Sequence, residues 1–248
     1  MIMSKFLEIK KENQKFLLLL GILVFVFASF LLIKKFAKND NNFDLAAVAV
    51  YQTKNKVELK VPFVAQAPLG NWNDPKQKDG CEEASALMAI YWANGGSLTL
   101  LEAEKEIIKI SDYEQEHYGS FYDTSAQDTV DRIFKGYFNY ENVDIKYNIE
   151  AQDIKNELSK GNLIIIPING QRLNNPSYLS PGPPVHMLVV IGYDNTTNEF
   201  ITNDLGIRSG KSFRYSEKNM MESLRDYPSG FRELITEERR AMIIVSKS

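Results

Sequence analysis

The chain has 248 residues, 44% hydrophobic and 25% charged, which is enough for one medium-sized globular domain with an appendage. It contains one cysteine, Cys81, and two histidines, His117 and His186. This excludes an internal disulfide framework and leaves too few ligands for a thiolate or zinc site, so no metal and no cofactor is expected. Beyond residue 38 there are 22 basic against 30 acidic side chains, a balance of about −8 that argues against a nucleic-acid partner.

The amino terminus predicts a membrane anchor. Residues 1–15 form a short tail, and residues 16–36 a transmembrane helix, because residues 16–33 carry no charge and would extend about 27 Å as a helix. A signal peptide is the alternative, but its apolar stretch would be about 7–15 residues long and a cleavage site would follow closely. Four lysines before the segment against three after it favour a cytoplasmic amino terminus and an external body, that is, a single-pass membrane protein with an extracytoplasmic domain.

The remainder divides into a linker, residues 37–56, and one domain, residues 57–248. Apolar spacing predicts helices in the first half of that domain, and a capping-box pattern opens the second of them. The predicted helices run from Cys81 to Ala93, from Thr99, from Thr124, and from Ala151 to Lys160.

Strands are predicted in the second half, at 162–169, 185–193, 198–204, 211–215 and 241–246. A turn at 194–198 makes residues 185–204 an antiparallel hairpin. The fold class is therefore α+β, and the long loop 169–184 has a length that is more often functional than idle.

Cys81 begins an apolar helix, directly after a glycine. A helix amino terminus and a nearby imidazole both lower the pKa of a thiol, so this placement suits a nucleophile. Glu82 and Glu83 would raise that pKa, so we expect them to point away or to be paired. The alternative is a buried structural thiol, which is common because free cysteine is among the most buried residue types.

His186 is the candidate base, since it stands at the start of a buried strand, whereas His117 lies in a strongly polar run and is expected to be solvated. The hairpin brings an Asx side chain within its reach, which would orient the imidazole. If paired positions of the two strands sum to an even number, Asp204 shares the face of His186, and if odd, Asn203 does. Gln66 is the candidate side-chain donor to an oxyanion.

Four motifs, VPFVAQAP, DGCEEASALMAIYW, VHMLVVIGYD and FITNDLGIRSG, resemble the papain-like cysteine peptidases of the bacteriocin-processing, double-glycine-leader peptidase-like family. The resemblance runs from about residue 61 to residue 215. It implies that Cys81 is the nucleophile, His186 the general base, Asp204 the orienting acid and Gln66 the oxyanion-hole glutamine. The family pattern commonly has a proline where this chain has Leu205.

The resemblance also implies a papain-like fold, in which the nucleophile helix packs on an antiparallel sheet, and a peptide or protein substrate cleaved through a thioester. Peptidoglycan amidase or transglutaminase chemistry on the same fold is one alternative. Another is a catalytically silent module that binds a peptide in a cleft beside loop 169–184.

Overall fold

The computed structural model describes residues 54–230 and 239–247, which belong to one compact unit, Gln52–Ser248. The predicted tail, residues 1–15, the predicted transmembrane helix, residues 16–36, and residues 37–53 of the predicted linker lie outside the described residues. Within the described ranges, no helix is long and apolar enough to cross a membrane.

A seven-stranded antiparallel sheet forms the centre of the domain, with the order β2-β7-β3-β4-β5-β6 and with β1 paired to the end of β4. Strand β4 is buried at every position, because it has neighbours on both edges and helices over both faces. The strands are β1 Lys56–Glu58, β2 Val143–Tyr147, β3 Leu163–Ile168, β4 His186–Asp194, β5 Glu199–Asn203, β6 Phe213–Ser216 and β7 Ala241–Val245.

The helices begin and end where local chemistry favours it. Thr99 and Glu102 form a reciprocal capping box, and Gly161 ends a helix with φ 93°, a left-handed conformation that favours glycine. The helices are α1 Pro75–Lys78, α2 Cys81–Ala93, α3 Leu100–Tyr118, α4 Ala126–Asp128 with its π-helical continuation Thr129–Tyr137, α5 Ala151–Lys160, α6 Gly170–Leu173 and α7 Glu217–Ser223.

Alternate side chains of β4 enter two cores. Met187, Val189 and Ile191 pack in the core that contains α2, α3 and the π-helix. Leu188 and Val190 pack on the opposite side, in the core that contains α5 and α7. The sheet is therefore covered on both faces, and the helix that begins at Cys81 packs against it.

The structure confirms the α+β class, the helix–sheet packing and the hairpin 185–204. Helices α2 and α5 have the predicted bounds, and the five predicted strands are found within two residues of their predicted ends. The third predicted helix is α4 of the structure, and its capping residue is Ser125 rather than Thr124. The Ser125 hydroxyl accepts from the Asp128 N–H at 3.1 Å. Strands β1 and β2 and helices α1, α6 and α7 were not predicted, and α6 lies within the predicted loop 169–184.

Candidate active site

Cys81 is the first residue of α2. Its neighbour Gly80 lies so close to the preceding turn that a β-carbon there would be 2.5 Å from the Lys76 carbonyl oxygen and 3.1 Å from Ile107 Cγ2. Only glycine fits this approach without displacing the backbone, which explains the Gly-Cys pair in the sequence. The side chain of Cys81 is buried, with 6% of its surface exposed.

The thiol of Cys81 is held by the next residue in the chain. Its Sγ–H donates to Glu82 Oε2 at 2.9 Å. Burial raises the pKa of Cys81 well above its usual value, and the charge of Glu82 and its hydrogen bond to the thiol raise it further. Glu82 therefore does not point away from the sulfur, but it is paired, since its Oε1 accepts the Tyr227 hydroxyl at 2.6 Å. Glu83 turns to Ser111, whose hydroxyl donates to Glu83 Oε1 at 2.7 Å.

His186 and Asp204 come together at one end of the sheet. His186 Nε2 lies 3.1 Å from Asp204 Oδ1, and both side chains are buried. His186 is the first residue of β4 and Asp204 directly follows β5. This contact orients the imidazole with Nε2 toward the carboxylate, which leaves Nδ1 for a second partner.

Asp204 binds more than the histidine, and the sequence did not indicate its other partners. Its Oδ1 accepts the backbone N–H of Gly206 at 3.0 Å, and its Oδ2 accepts three side-chain donors. Those donors are Asn175 Nδ2 at 3.0 Å, the Tyr178 hydroxyl at 2.8 Å and the Tyr215 hydroxyl. Asn175 and Tyr178 belong to the long loop 169–184, so that loop contributes directly to the site, as its length suggested.

These donors keep Asp204 ionised. Burial alone would raise the pKa of its carboxyl, but the hydrogen bond and charge of His186, together with the two tyrosine hydroxyls, hold that pKa below its usual value. The Tyr178 ring also meets the His186 ring edge-on, with centroids 5.8 Å apart. Asp204 is therefore a fixed, negatively charged acceptor for the imidazole.

Asn203, the alternative partner of His186, lies on the other face of the sheet. Its side-chain amide donates weakly to the Pro62 carbonyl at 3.4 Å and contacts Met88 Sδ of α2 at 3.8 Å. His117 is exposed at the end of α3, with its Nδ1 2.9 Å from the Tyr113 carbonyl oxygen, and takes no part in this site.

Gln66 links the two halves of the site. Its backbone N–H donates to the Leu205 carbonyl at 3.0 Å, directly after Asp204. Its side-chain Nε2 donates to the carbonyls of Gln77 at 3.2 Å and Lys78 at 2.6 Å, in the turn before Cys81. Both amide hydrogens are engaged, so an oxyanion could take a donor from Gln66 only in place of one of these contacts.

The structure does not join Cys81 and His186 by a hydrogen bond, since the Sγ–H donates to Glu82 instead. The conformation shown is one with a neutral thiol, an oriented imidazole and an ionised Asp204. A role of Cys81 as nucleophile with His186 as its base would require the thiol proton to pass from Sγ to the imidazole. Within residues 54–230 and 239–247, no group of three or more His, Cys, Asp and Glu side chains is placed to hold a metal ion.

Comparison with known proteins gives a family and a fold. The model of the family described as "Peptidase_C39 like family" matches residues 58–228, more than half of the chain and a range that includes Gln66, Cys81, His186 and Asp204. No relative was found among curated proteins.

Two solved structures are similar. A protein from Bacillus anthracis described as a C39-like peptidase is 15% identical, over 78% of this chain and 98% of its own, with a TM-score of 0.50. Xylellain, a cysteine protease from Xylella fastidiosa, is 14% identical, over 80% of this chain and 88% of its own, with a TM-score of 0.38. At this level of identity, the first likeness concerns the fold alone.

Proposed function

The chain belongs to the Peptidase_C39 like family and is a cysteine-type peptidase, and on that premise we propose that Cys81, His186 and Asp204 form its catalytic triad. The observation that carries this assignment is the 3.1 Å contact between His186 Nε2 and Asp204 Oδ1, at the end of the sheet that Gln66 ties to the turn before Cys81. A buried, ionised carboxylate bound to one imidazole nitrogen is the arrangement that fixes a general base.

The reaction follows from these roles. His186 Nδ1 takes the proton of the Cys81 thiol, and the sulfur attacks the carbonyl carbon of the scissile amide. The imidazolium then gives that proton to the leaving amine, and an acyl group remains on Cys81 as a thioester. Water, deprotonated by His186, attacks the thioester and releases the carboxylate product with the thiol restored.

Two donors would stabilise the oxyanion that forms at each addition step. The backbone N–H of Cys81 lies at the amino terminus of α2, where the helix dipole favours negative charge. Gln66 would be the second donor, once its amide releases the carbonyl of Gln77, the longer of its two contacts at 3.2 Å.

The experiment that tests this function uses the full chain in detergent with a library of linear peptides, and identifies products by mass spectrometry. We expect peptide hydrolysis that Cys81→Ala abolishes. Products released only from peptidoglycan fragments would indicate an amidase, and products carrying an added amine would indicate a transferase. Binding of peptides by the wild type and Cys81→Ala alike, without any product, would indicate a silent binding module and contradict the proposal.

The proposal includes a single-pass anchor, residues 16–36, with the domain 57–248 on the outer side of the membrane. Its support is the uncharged stretch 16–33 and the placement of lysines on either side of it. Alkaline carbonate should leave the full chain in the membrane pellet, whereas it should extract a Leu19→Lys/Val24→Lys variant. External protease should degrade the domain in spheroplasts, and full protection there would reverse the orientation.

A further inference from the structure

Glu82 lies between the sulfur of Cys81 and a tyrosine from the far end of the chain. Its Oε2 accepts the Cys81 Sγ–H at 2.9 Å, and its Oε1 accepts the Tyr227 hydroxyl at 2.6 Å. Glu82 and Tyr227 are 1% and 2% exposed, so water does not compete for either contact. A carboxyl group in direct contact with a candidate nucleophile is not explained by the triad mechanism.

The surroundings of Glu82 are acidic. Glu83 faces it from its own helix, Glu114 from α3, and Asp123 from the segment that follows α3. Asp226 faces Tyr227 from the segment before β7. The described residues provide no cation in contact with the Glu82 carboxylate, so an ionised Glu82 is stabilised by hydrogen-bond donors alone: the Cys81 thiol, the Tyr227 hydroxyl and its own backbone N–H.

Burial raises the pKa of Glu82 to about 7, even though the hydrogen bonds from Cys81 and Tyr227 act in the opposite direction. The carboxyl therefore changes its charge close to neutral pH. As a neutral acid it has an O–H to donate, whereas as a carboxylate it can only accept.

We propose that Glu82 is a catalytic residue that controls the proton on Cys81, with the neutral acid permitting thiolate formation and the carboxylate preventing it. When Glu82 is neutral, the thiol proton passes to His186 and the Glu82 O–H donates to the sulfur anion that remains. When Glu82 is ionised, it holds the thiol proton, and transfer of that proton to His186 would leave two adjacent anions in a buried site. Only one proton moves, from sulfur to imidazole nitrogen, and no other bond changes.

This inference deepens the proposed function and rests on it, because it assigns a regulator to the same nucleophile. A purely structural role for Glu82, as a partner that anchors Tyr227, would not require its other oxygen to contact the sulfur. The charge state of Glu82 then supplies a pH control that no member of the triad provides.

Alkylation of Cys81 tests the inference without any substrate. Cys81 is the only cysteine in the chain, so iodoacetamide incorporation, followed by intact mass, measures its reactivity directly. The quantity to compare is the ratio of the labelling rate of Glu82→Gln to that of the wild type, from pH 5.5 to pH 8.5. Glutamine keeps the shape of the neutral acid and cannot ionise.

We expect this ratio to stay within about threefold of one at pH 5.5, where Glu82 is neutral, and to rise to about tenfold or more at pH 8, with a midpoint near pH 7. A ratio that does not change with pH would overturn the inference. Glu83→Gln is the matched control: burial and the charges of Glu114 and Glu82 hold the pKa of Glu83 well above its usual value, so this substitution should leave the pH dependence as it is.

Tyr227→Phe provides a second test that keeps the Glu82 side chain. The Tyr227 hydroxyl stabilises the carboxylate, so its removal should raise the pKa of Glu82 and make labelling at pH 8 faster than in the wild type. An unchanged profile in this variant would count against the inference.

The two proposals fail in different ways. A flat labelling ratio together with peptide hydrolysis that depends on Cys81 would overturn only the role of Glu82. A ratio that rises near pH 7, in a protein that hydrolyses no peptide, would support the role of Glu82 on the thiol and contradict the peptidase proposal.

Discussion

Asp204 lies beside His186 because the part of strand β4 that pairs with β5 has one residue more than the part of β5 opposite it. Near the turn the paired positions are Asp194 with Glu199, a register that would place Asn203 on the face of His186. Between Val190 and Gly192 the register shifts, and Ile191 is the extra residue. Between this β-bulge and the start of β4, the residues of β5 that share a face with a given residue of β4 are therefore shifted by one. As a result Asp204 reaches His186, and Asn203 points to the core between the sheet and α2.

The first prediction separates the two neighbouring candidates. Asp204→Ala should lower kcat for peptide hydrolysis by about 10³-fold or more, since the imidazole loses the group that fixes its tautomer. Asn203→Ala should change kcat by less than about threefold and lower the free energy of unfolding instead, because its amide binds only structural partners. Steady-state kinetics with denaturant unfolding measure both effects. The reverse pattern would make Asn203 the third residue.

The second prediction concerns Tyr178, whose hydroxyl donates to Asp204 Oδ2 at 2.8 Å. This donor helps to hold the pKa of Asp204 below its usual value, so the ionised form is lost only as the pH falls through that lowered pKa. In Tyr178→Phe the pKa rises, and the acid limb of the kcat/KM profile should move to higher pH by about 0.5 to 1. Tyr118→Phe, exposed at the end of α3, is the control, and an acid limb that does not move would contradict the account.

The third prediction tests the close approach at Gly80. In Gly80→Ala the new β-carbon meets the Lys76 carbonyl oxygen at 2.5 Å, so the start of α2 must shift and Cys81 with it. We expect a loss of activity of about 10²-fold, since displacement of a reacting group by about 1 Å has that effect. Gly95→Ala, at the other end of α2, has φ 73° and nothing within 4 Å of the new carbon. It should reduce stability by about 1 kcal/mol through backbone strain without loss of kcat. Equal kinetic effects at the two positions would contradict this role.

The fourth prediction concerns stability and pH. Burial raises the pKa of Glu114 to about 8, against an opposing hydrogen bond from Thr124. Because the folded pKa lies above the unfolded value, the stability contributed by the neutral acid is complete below about pH 4.5 and is lost as the pH rises through about 8. Glu114 should account for about 2–4 kcal/mol of the fall in the free energy of unfolding between pH 5 and pH 8, so that the fall is smaller by about this amount in Glu114→Gln.

Denaturant titrations at the two pH values measure that difference. Glu116→Gln is the matched control, because it lies on the same helix and is exposed. Its dependence on pH should equal that of the wild type. If Glu114→Gln also lost as much stability as the wild type over this range, Glu114 would not be neutral in the folded protein.

The sequence was a good guide wherever one local pattern determined the structure. The capping box at Thr99, the glycine after α5 and the apolar period of α2 each acted over a few residues, and those elements have the predicted ends. Strand β2 was missed although VDIKY alternates apolar and polar residues as an outer strand does. That signal was present and could have been used.

Other features depended on contacts that no local pattern contains. The bulge at Ile191 lies in a run that is buried throughout, so no alternation marks it. The sequence signal for an irregularity in this strand was Gly192, because a glycine inside a strand often marks a bulge or a close backbone approach. In the structure a β-carbon at Gly192 would lie 2.1 Å from the Val57 carbonyl oxygen. The direction of Glu82 depends on Tyr227, which is 145 residues away. Two of the donors to Asp204, Asn175 and Tyr178, come from a loop whose path the sequence does not specify.

The most direct test of the triad is the rate at which iodoacetamide labels Cys81 in the native full chain at pH 6, compared between the wild type and His186→Ala. If His186 accepts the thiol proton, the wild type should react at least about tenfold faster than His186→Ala and faster than the denatured chain. Equal native rates in the two proteins would show that His186 does not activate Cys81 and would contradict the central claim.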